Sequence, residues 1–282
     1  MQSLVILAGF LSLTPAQELA VTFWGITPAV KDRAALVEFK PTHKKAVVLV
    51  HGLLPRPLHP ELAEVPEPHN WQKPTVEVVK ILAQEFDVFG MSYAQTLPVD
   101  LVPLSKEFRE GIATLKKLGY TQIVLVGHSA GGVLVRRFVE LFPDAGVTKI
   151  IMVGTPHLGS GWTNFPARFI PKQQSRFIES LSESYRIEAT KCAPPLSEKL
   201  EACCVVCKLP RLKSDTIVGL RSQWPEDLQN QGIPVILAQC NHFEAMTSLE
   251  IAKTIAEAAK NRVIRWNKDD TDRARKVLFG EK

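Results

Sequence analysis

Short, fully apolar runs alternate with amphipathic stretches along most of the chain, and this alternation limits the possible folds more than any other feature. Residues 46–50 (AVVLV) carry no polar side chain, as expected of a strand buried on both faces of a parallel sheet. Residues 75–86 then place apolar side chains at helical spacing, and residues 87–93 form the next apolar run. Strand and helix in alternation predict an α/β fold with a mostly parallel central sheet flanked by helices.

The same alternation continues downstream. Further strands are expected over residues 122–126, 147–153, 202–207 and 234–240. Helices are expected over residues 104–118, 130–142 and 246–259. Because no internal repeat or low-complexity tract interrupts this pattern, residues 17–282 are expected to form one domain.

Composition excludes several classes of protein. Hydrophobic residues make up 45% of the 282 residues and charged residues 22%, which is unlike a disordered chain. The mean hydropathy of +0.02 is too low for a multi-span membrane protein.

Residues 260–282 carry eight basic and four acidic residues, which is +4 of the net +5. The rest of the chain is nearly neutral, so no nucleic-acid partner is indicated. The charged tail is interpreted as a solvated helix end, with transient contact with an anionic membrane surface as the alternative.

The first residues form a separate segment. An apolar run over residues 4–13 is followed by small residues that end at Ala16. This order predicts a signal peptide over residues 1–16, and the run is only about half as long as a membrane span requires. The chain would then be exported, to the periplasm or outside the cell, and otherwise cytoplasmic. No Lys or Arg precedes the run, so an N-terminal strand or buried arm remains the alternative.

Five cysteines lie in the second half of the chain. They are Cys192, Cys203, Cys204, Cys207 and Cys240. Cys204 and Cys207 form a C-x-x-C pattern, but it lies within an apolar run and has no second ligand pair after it, so core packing is favoured over a metal site. Neither a metal nor a cofactor is expected. Disulfides from Cys192 to Cys203 or from Cys207 to Cys240 remain open, because sequence does not give connectivity.

One motif carries a specific chemical prediction. Gly127-His128-Ser129-Ala130-Gly131 fits G-x-S-x-G directly between a predicted strand and a predicted helix, the context that a nucleophile elbow requires. The turn is sharp, so Gly127 and Gly131 leave room where a Cβ would collide. Ser129 is then expected to project above the sheet as a nucleophile. The alternative is a glycine-rich turn in which Ser129 only caps the helix.

A serine hydroxyl is a weak nucleophile near neutral pH and needs a base and a group that orients that base. His242 follows the last predicted strand and is the favoured base, with His157 as the alternative. Asp215 is the first carboxylate after the strand at residues 202–207 and is the favoured acid. Asp227 is the alternative acid.

Hydrolysis through a tetrahedral intermediate also needs donors for an oxyanion. The Ala130 amide, directly after the serine, and the Leu53 amide, in the loop after the first predicted strand, are the expected pair, with the Leu54 amide as the alternative to that of Leu53. His51 is interpreted as a loop histidine that fixes this turn by bonding to backbone. The expected substrate pocket includes Leu54, His157 and Phe165.

Residues 160–195 break the regular alternation. Phe177, Ile178, Leu181 and Tyr185 share one face of a helix expected over residues 173–186. The segment is interpreted as a small cap or lid insertion, with an ordinary crossover helix as the alternative. Its apolar residues, Phe165 among them, favour an acyl chain as substrate, although core packing explains the same residues.

Residues 46–246 resemble the α/β-hydrolase superfamily, and in particular its bacterial lipase and esterase branch. The resemblance rests on His51-Gly52, on the serine motif extended to Gly132, and on the G-T-P-H-L-G-S run at residues 154–160. Ser214-Asp215-Thr216-Ile217-Val218 is similar to the acid loop S-D-G-x-V of that branch, with Thr216 in place of the usual glycine. The resemblance implies an α/β-hydrolase fold in which Ser129, Asp215 and His242 fall on the nucleophile, acid and base.

The expected function is hydrolysis of carboxylic esters, small-molecule or lipid-like, through an acyl-serine intermediate. Two alternatives stay open. An acyltransferase uses the same three residues when an alcohol outcompetes water, and a non-catalytic protein of this fold binds a ligand in the same pocket. Nothing in the sequence indicates an oligomeric state.

Overall fold

The computed structural model describes residues 20–28, 36, 39–56, 58–161 and 172–280. Seven of its strands form one sheet in the order β1-β3-β2-β4-β5-β6-β7. The strands are β1 (Val21–Thr27), β2 (Lys45–Val50), β3 (Asp87–Tyr93), β4 (Gln122–His128), β5 (Lys149–Val153), β6 (Glu201–Cys207) and β7 (Val235–Ala238). Strands β2 to β7 run parallel, and β1 pairs antiparallel with β3. The predicted α/β fold with a mostly parallel sheet is confirmed.

Helices flank the sheet where the periodicity predicts them, with shifted ends. They are α1 (Glu77–Leu82), α2 (Lys106–Lys117), α3 (Ala130–Leu141), α4 (Ser175–Glu179), α5 (Glu183–Lys191), α6 (Leu220–Gln223), α7 (Glu226–Asn230), α8 (Leu249–Lys260) and α9 (Lys268–Phe279). Helix α2 begins later than expected because Ser105 caps it, its side chain accepting from the Phe108 amide at 3.1 Å.

The sheet separates two apolar cores. Ala46, Val48 and Val50 of β2 belong to the core that also holds side chains of α2, α3 and α9. Val47 and Leu49 face the other core, which α1 and α8 cover. Alternate residues of one strand therefore enter different cores, which explains why the strand is apolar throughout.

Strand β1 is an element that the sequence patterns do not predict. It pairs with the free edge of β3, and its register shifts between Gly25 and Thr27. Gly90 and Gly25 leave space for aromatic side chains here, since a Cβ on Gly90 would lie 2.7 Å from Trp24 Cη2 and one on Gly25 would lie 2.5 Å from Phe39 Cε2. The strand covers a sheet edge that would otherwise expose unpaired backbone groups.

The single helix expected over residues 173–186 is wrong. Helices α4 and α5 replace it, and Ser182 caps the second, accepting from the Tyr185 amide at 3.3 Å. Phe177 and Leu181 belong to the core, so they do not line an acyl pocket. Phe165 and the expected signal segment at residues 1–16 lie outside the described residues.

The charged C-terminal segment contains helix α9, which packs on the domain. Phe279 stacks on Trp224 with ring centroids 6.1 Å apart, and Leu278 is buried. Arg275 Nε donates to Gln229 Oε1 at 2.5 Å. Within the described part of the chain, no helix has the length and apolarity to cross a membrane.

All five cysteines are free thiols in the structure. Cys203, Cys204 and Cys207 are buried in β6, whereas Cys192 is exposed. The bridge between Cys192 and Cys203 is therefore not formed. Burial raises the pKa of the Cys203 thiol to about 12, as expected of a core thiol that is not reactive.

Candidate active site

The serine of the G-x-S-x-G motif occupies a strained turn between β4 and α3. Ser129 has φ 54° and ψ −126°, a conformation that costs a non-glycine residue free energy. Its side chain makes no capping bond to α3, so the interpretation of a mere capping serine is wrong. The hydroxyl instead points toward a histidine.

Glycines give this turn its shape. A Cβ on Gly127 would lie 2.6 Å from Gly132 Cα, and one on Gly131 would lie 2.5 Å from His51 O. A Cβ on Gly52 would lie 2.6 Å from Ser129 Cβ. These contacts are far below van der Waals separation, so the loop after β2 approaches the serine only because glycine stands at these positions.

Asp215, His242 and Ser129 form one continuous chain of hydrogen bonds. Ser129 Oγ lies 2.9 Å from His242 Nε2, and His242 Nδ1 lies 2.7 Å from Asp215 Oδ2. Because the carboxylate only accepts, Nδ1 carries the proton, and Nε2 is left free to accept the hydroxyl proton. All three residues are buried, with Ser129 9%, His242 6% and Asp215 0% exposed.

Asp215 is held by its own loop. Its Oδ1 accepts from the Ile217 amide at 2.9 Å and the Val218 amide at 2.7 Å. These bonds leave Oδ2 aimed at His242. Thr216, in the same loop, has φ 88°. The loop therefore keeps the backbone shape that favours glycine while carrying a β-branched residue.

His242 is fixed through its backbone at both ends. Its amide donates to Asp215 O at 2.8 Å, and its carbonyl accepts from His128 Nε2 at 3.1 Å. The pKa of His128 lies well below its usual value, because the ring is buried and because His242 is close. A neutral His128 donates to the His242 carbonyl without adding positive charge beside the His242 ring.

Two backbone amides are available beside the serine. No partner for the Ala130 or Leu53 amide is found among the described residues. Ala130 is the first residue of α3, where an unpaired N–H and the helix dipole both favour negative charge. Leu53 follows Gly52, which lies against Ser129. Both amides stand at positions where the sequence predicts an oxyanion donor, whereas the alternative donor, the Leu54 amide, is bonded to Gln95 Oε1 at 2.9 Å.

Residues 45–184 match a family model described as the alpha/beta hydrolase fold. The chain has the α/β-hydrolase fold. A search of curated protein sequences finds no significant match.

Solved structures support this assignment at the level of the fold. A Bacillus licheniformis lipase in its mature form superposes with a TM-score of 0.60 at 13% identity, covering 83% of this chain and 95% of that one. A metagenomic carboxyl esterase superposes with a TM-score of 0.54 at 14% identity, covering 78% and 76%. A phospholipase from Legionella pneumophila gives a TM-score of 0.53 at 13% identity, covering 84% and 63%.

The alternative base and the alternative acid lie elsewhere in this hydrolase fold. His157 is fully buried and neither ring nitrogen has a hydrogen-bond partner among the described residues, so it does not contact Ser129. Full burial also contradicts its assignment to the substrate pocket. Asp227 forms an ion pair with buried Arg136. Leu54 is half-buried in the loop after β2, and the pocket residue Phe165 lies outside the described residues.

His51 holds the loop after β2, as expected. Its Nδ1 donates to Gly52 O at 2.7 Å, and its ring stacks on Tyr93 with centroids 4.8 Å apart. Burial lowers the pKa of His51 to about 4, so the ring is neutral. Tyr93 Oη donates to His51 O at 2.8 Å, which pins the same turn from the neighbouring strand.

Two residues that hold this loop from other parts of the chain are not predicted by the sequence patterns. Gln95 and Gln174 hydrogen-bond to the backbone on both sides of Leu53. Gln95 follows the carboxyl end of β3, where polar residues face the site in parallel sheets, so a signal for it was present. Gln174 lies 120 residues from Leu54, and no local pattern connects the two.

Proposed function

We propose that this chain is a serine hydrolase of carboxylic esters. The observation that carries the proposal is the unbroken set of contacts from Asp215 Oδ2 through His242 to Ser129 Oγ, at 2.7 and 2.9 Å. Both distances are within the range in which a base takes a proton from a nucleophile. The similarity in fold to a lipase and a carboxyl esterase supports the same reaction class.

The reaction follows from these contacts. Ser129 Oγ attacks the ester carbonyl carbon while its proton passes to His242 Nε2. The negative charge that forms on the carbonyl oxygen is received by the Ala130 and Leu53 amides. Collapse of the intermediate breaks the bond to the alcohol, which leaves with the proton from His242. Water then repeats these steps on the acyl-serine, releasing the acid and restoring Ser129.

Asp215 contributes by orienting the base. It holds the His242 ring so that Nε2 faces Ser129, and it stabilises the positive charge that the ring acquires during each step. Its carboxylate already accepts two backbone amides, so its position does not depend on substrate.

Apolar residues around this end of the sheet favour an acyl ester as substrate. Phe243, next to the base, is 69% exposed, and Leu58 in the loop after β2 is 84% exposed. Leu212, beside the acid loop, is 45% exposed. All three follow the carboxyl ends of parallel strands, the edge where such folds bind ligands. The proposed partner is therefore a small-molecule or lipid ester, with brief contact at a lipid surface for longer acyl chains.

The test is release of a chromogenic alcohol from acetyl, octanoyl and palmitoyl esters by the full chain, beside Ser129→Ala. The variant is expected to lose at least about 10⁴-fold in kcat. A fluorophosphonate probe is expected to label the wild type at Ser129 and not the variant. The ratio of rates across acyl lengths then separates an esterase from a lipase.

The same assay separates the alternatives. An acyltransferase gives mainly transesterified product when an alcohol is added at a concentration that hardly slows a hydrolase. A binding protein gives neither product nor probe labelling, and that result would overturn the proposal.

A further inference from the structure

Two side chains hydrogen-bond to the carbonyl of the peptide between Gly52 and Leu53. Gly52 O accepts from Gln95 Nε2 at 2.9 Å and from His51 Nδ1 at 2.7 Å. In a planar trans peptide the N–H points opposite to the C=O. Fixing the Gly52 carbonyl therefore fixes the direction of the Leu53 N–H, the second amide of the proposed oxyanion site.

Gln95 also hydrogen-bonds to the next peptide, between Leu53 and Leu54. Its Oε1 accepts from the Leu54 amide at 2.9 Å. Carbonyls only accept and amides only donate, so these two bonds set which end of the Gln95 side chain is nitrogen and which is oxygen. One buried side chain thus spans Leu53 and holds the backbone on both sides of it.

Gln174 supports Gln95 from a distant part of the chain. Its Nε2 donates to Leu54 O at 2.8 Å and to Gln95 Oε1 at 3.2 Å, and its Oε1 accepts from the Arg56 amide at 3.0 Å. Gln174 is fully buried although it stands in a short 3₁₀ helix at the surface of the domain. These hydrogen bonds account for the burial of this polar side chain, because burying an amide without partners costs free energy.

The segment that carries Gln174 is anchored on the domain. Three residues further on, Phe177 is fully buried and packs on Tyr93 with ring centroids 5.9 Å apart. Ser180 Oγ then accepts from the Val99 amide at 2.9 Å. Gln174 therefore bonds to the loop after β2 from a segment that is itself packed on the domain.

From these contacts we infer that Gln95 and Gln174 are positioning residues for the oxyanion site, and that the segment at residues 172–181 acts on catalysis through Gln174. The inference rests on the proposed function. Both side chains are buried, and the bonds described above join them to the loop backbone and to each other. Together they keep the Leu53 amide in the orientation that stabilises the tetrahedral intermediate, while leaving binding of the ground-state ester unchanged.

The test uses substitutions of nearly equal volume. Gln95→Glu and Gln174→Glu replace an N–H donor with an oxygen that faces a backbone carbonyl, and Gln174→Met removes the polar atoms without adding charge. Gln231→Glu is the matched control, because Gln231 Nε2 also donates to a backbone carbonyl, that of Asp227, at 3.0 Å. Gln231 plays no part in the site.

Steady-state kinetics are measured with a short-chain ester. Active sites are titrated with a fluorophosphonate, so that kcat is calculated per functional active site and unfolded protein does not lower it. A trifluoromethyl ketone serves as the probe of the oxyanion site, since Ser129 Oγ adds to its carbonyl carbon and the oxygen becomes the oxyanion. We expect kcat to fall about 10²-fold in Gln95→Glu and about tenfold in both Gln174 variants, with KM nearly constant. The inhibition constant of the ketone should rise by the same factors.

The outcomes are distinct. A kcat per active site within about twofold of wild type in both Gln174 variants overturns the inference, as does a change confined to KM. A merely structural role would lower the melting temperature and the titrated fraction, leave kcat per site unchanged, and so also overturn it. A wild type inert to ester and probe overturns the proposed function and the inference together. Gln231→Glu is expected to keep wild-type kinetics.

Discussion

Ser129 and His242 face each other across 2.9 Å, but the regions that carry them are built differently. On the nucleophile side, which carries Ser129, the proposed nucleophile, β4, α3 and the loop after β2 are so close that a Cβ on Gly131 would lie 2.5 Å from His51 O. On the acid and base side, which carries Asp215 and His242, the proposed acid and base, the loops after β6 and β7 are joined mainly by hydrogen bonds, such as the His242 amide to Asp215 O at 2.8 Å. Steric exclusion shapes the turn around Ser129, in addition to the hydrogen bonds that hold the loop after β2, whereas the loops of Asp215 and His242 depend mainly on directed polar bonds.

This difference predicts how each side fails. Adding atoms to the nucleophile side should damage the fold, because well-packed backbone has little room to move. Changing polar atoms on the acid and base side should damage the chemistry while the fold persists. The following experiments test this contrast.

The largest effect is expected from Asp215→Asn. An amide in place of the carboxylate presents the wrong partner to His242 and no longer stabilises its positive charge, so kcat should fall about 10³- to 10⁴-fold, or about 4–5.5 kcal/mol of transition-state stabilisation. Steady-state kinetics with the chromogenic ester measure the loss. The control is Asp227→Asn, which alters the ion pair with Arg136 and should retain most activity. Equal losses in the two variants would contradict the assignment of the acid.

The next effect is on stability and compares the substitution of one glycine by alanine on each side. Gly131→Ala should lower the free energy of unfolding by about 3 kcal/mol or more, because the new Cβ meets the backbone carbonyls of Val50 and His51. Gly219→Ala, near the acid loop, adds its Cβ where the nearest atom is Lys213 O at 4.0 Å and where φ is −68°. Its free energy of unfolding should change by less than about 1 kcal/mol. Urea denaturation compares the pair, and similar losses would show that the two sides do not differ.

A smaller effect is expected from pH. Burial lowers the pKa of His51 to about 4, whereas an unfolded histidine titrates near 6.5, so the unfolded chain binds more protons between these values. The stability from His51 is therefore complete above about pH 6.5 and is lost as pH falls toward 4. From pH 8 to pH 5, His51 alone should account for a loss of about 2 kcal/mol in the free energy of unfolding.

Urea denaturation at several pH values measures how the free energy of unfolding depends on pH. His157, whose pKa burial also lowers, contributes in the same direction, so His157→Leu should flatten the loss. His59→Gln is the control, because that side chain is 68% exposed. A wild-type stability that is constant from pH 8 to pH 5 would contradict a neutral buried histidine on the nucleophile side.

The smallest effect concerns the acid loop. Thr216 is exposed and has φ 88°, which disfavours a β-branched residue. Thr216→Gly should raise the free energy of unfolding by about 1 kcal/mol, since little packing is lost and the strain is relieved. Activity should hardly change, because the bonds from Ile217 and Val218 to Asp215 are made by backbone amides. A destabilised variant would mean that the threonine hydroxyl, and not the backbone, shapes the loop.

Much of the fold and part of the site could be predicted from local patterns. Residues 46–50 have apolar side chains toward both cores, and this burial on two faces is visible in sequence as an unbroken apolar run. The serine turn is similar, because Gly127, Ser129 and Gly131 are neighbours in the chain and their steric needs are local. The helix expected over residues 173–186 was wrong because periodicity does not register the break at Ser182, which caps α5.

Local sequence patterns are sufficient to predict the alternation of strands and helices, the position of the serine turn, and Asp215 and His242 as the favoured acid and base. Three contacts emerge only in the folded chain: His242 and not His157 contacts Ser129, Asp227 binds Arg136, and Gln174 reaches the loop after β2. Strand burial and turn sterics act between neighbours in the chain, whereas a hydrogen bond between residues 120 positions apart exists only after the sheet has fixed the path between them.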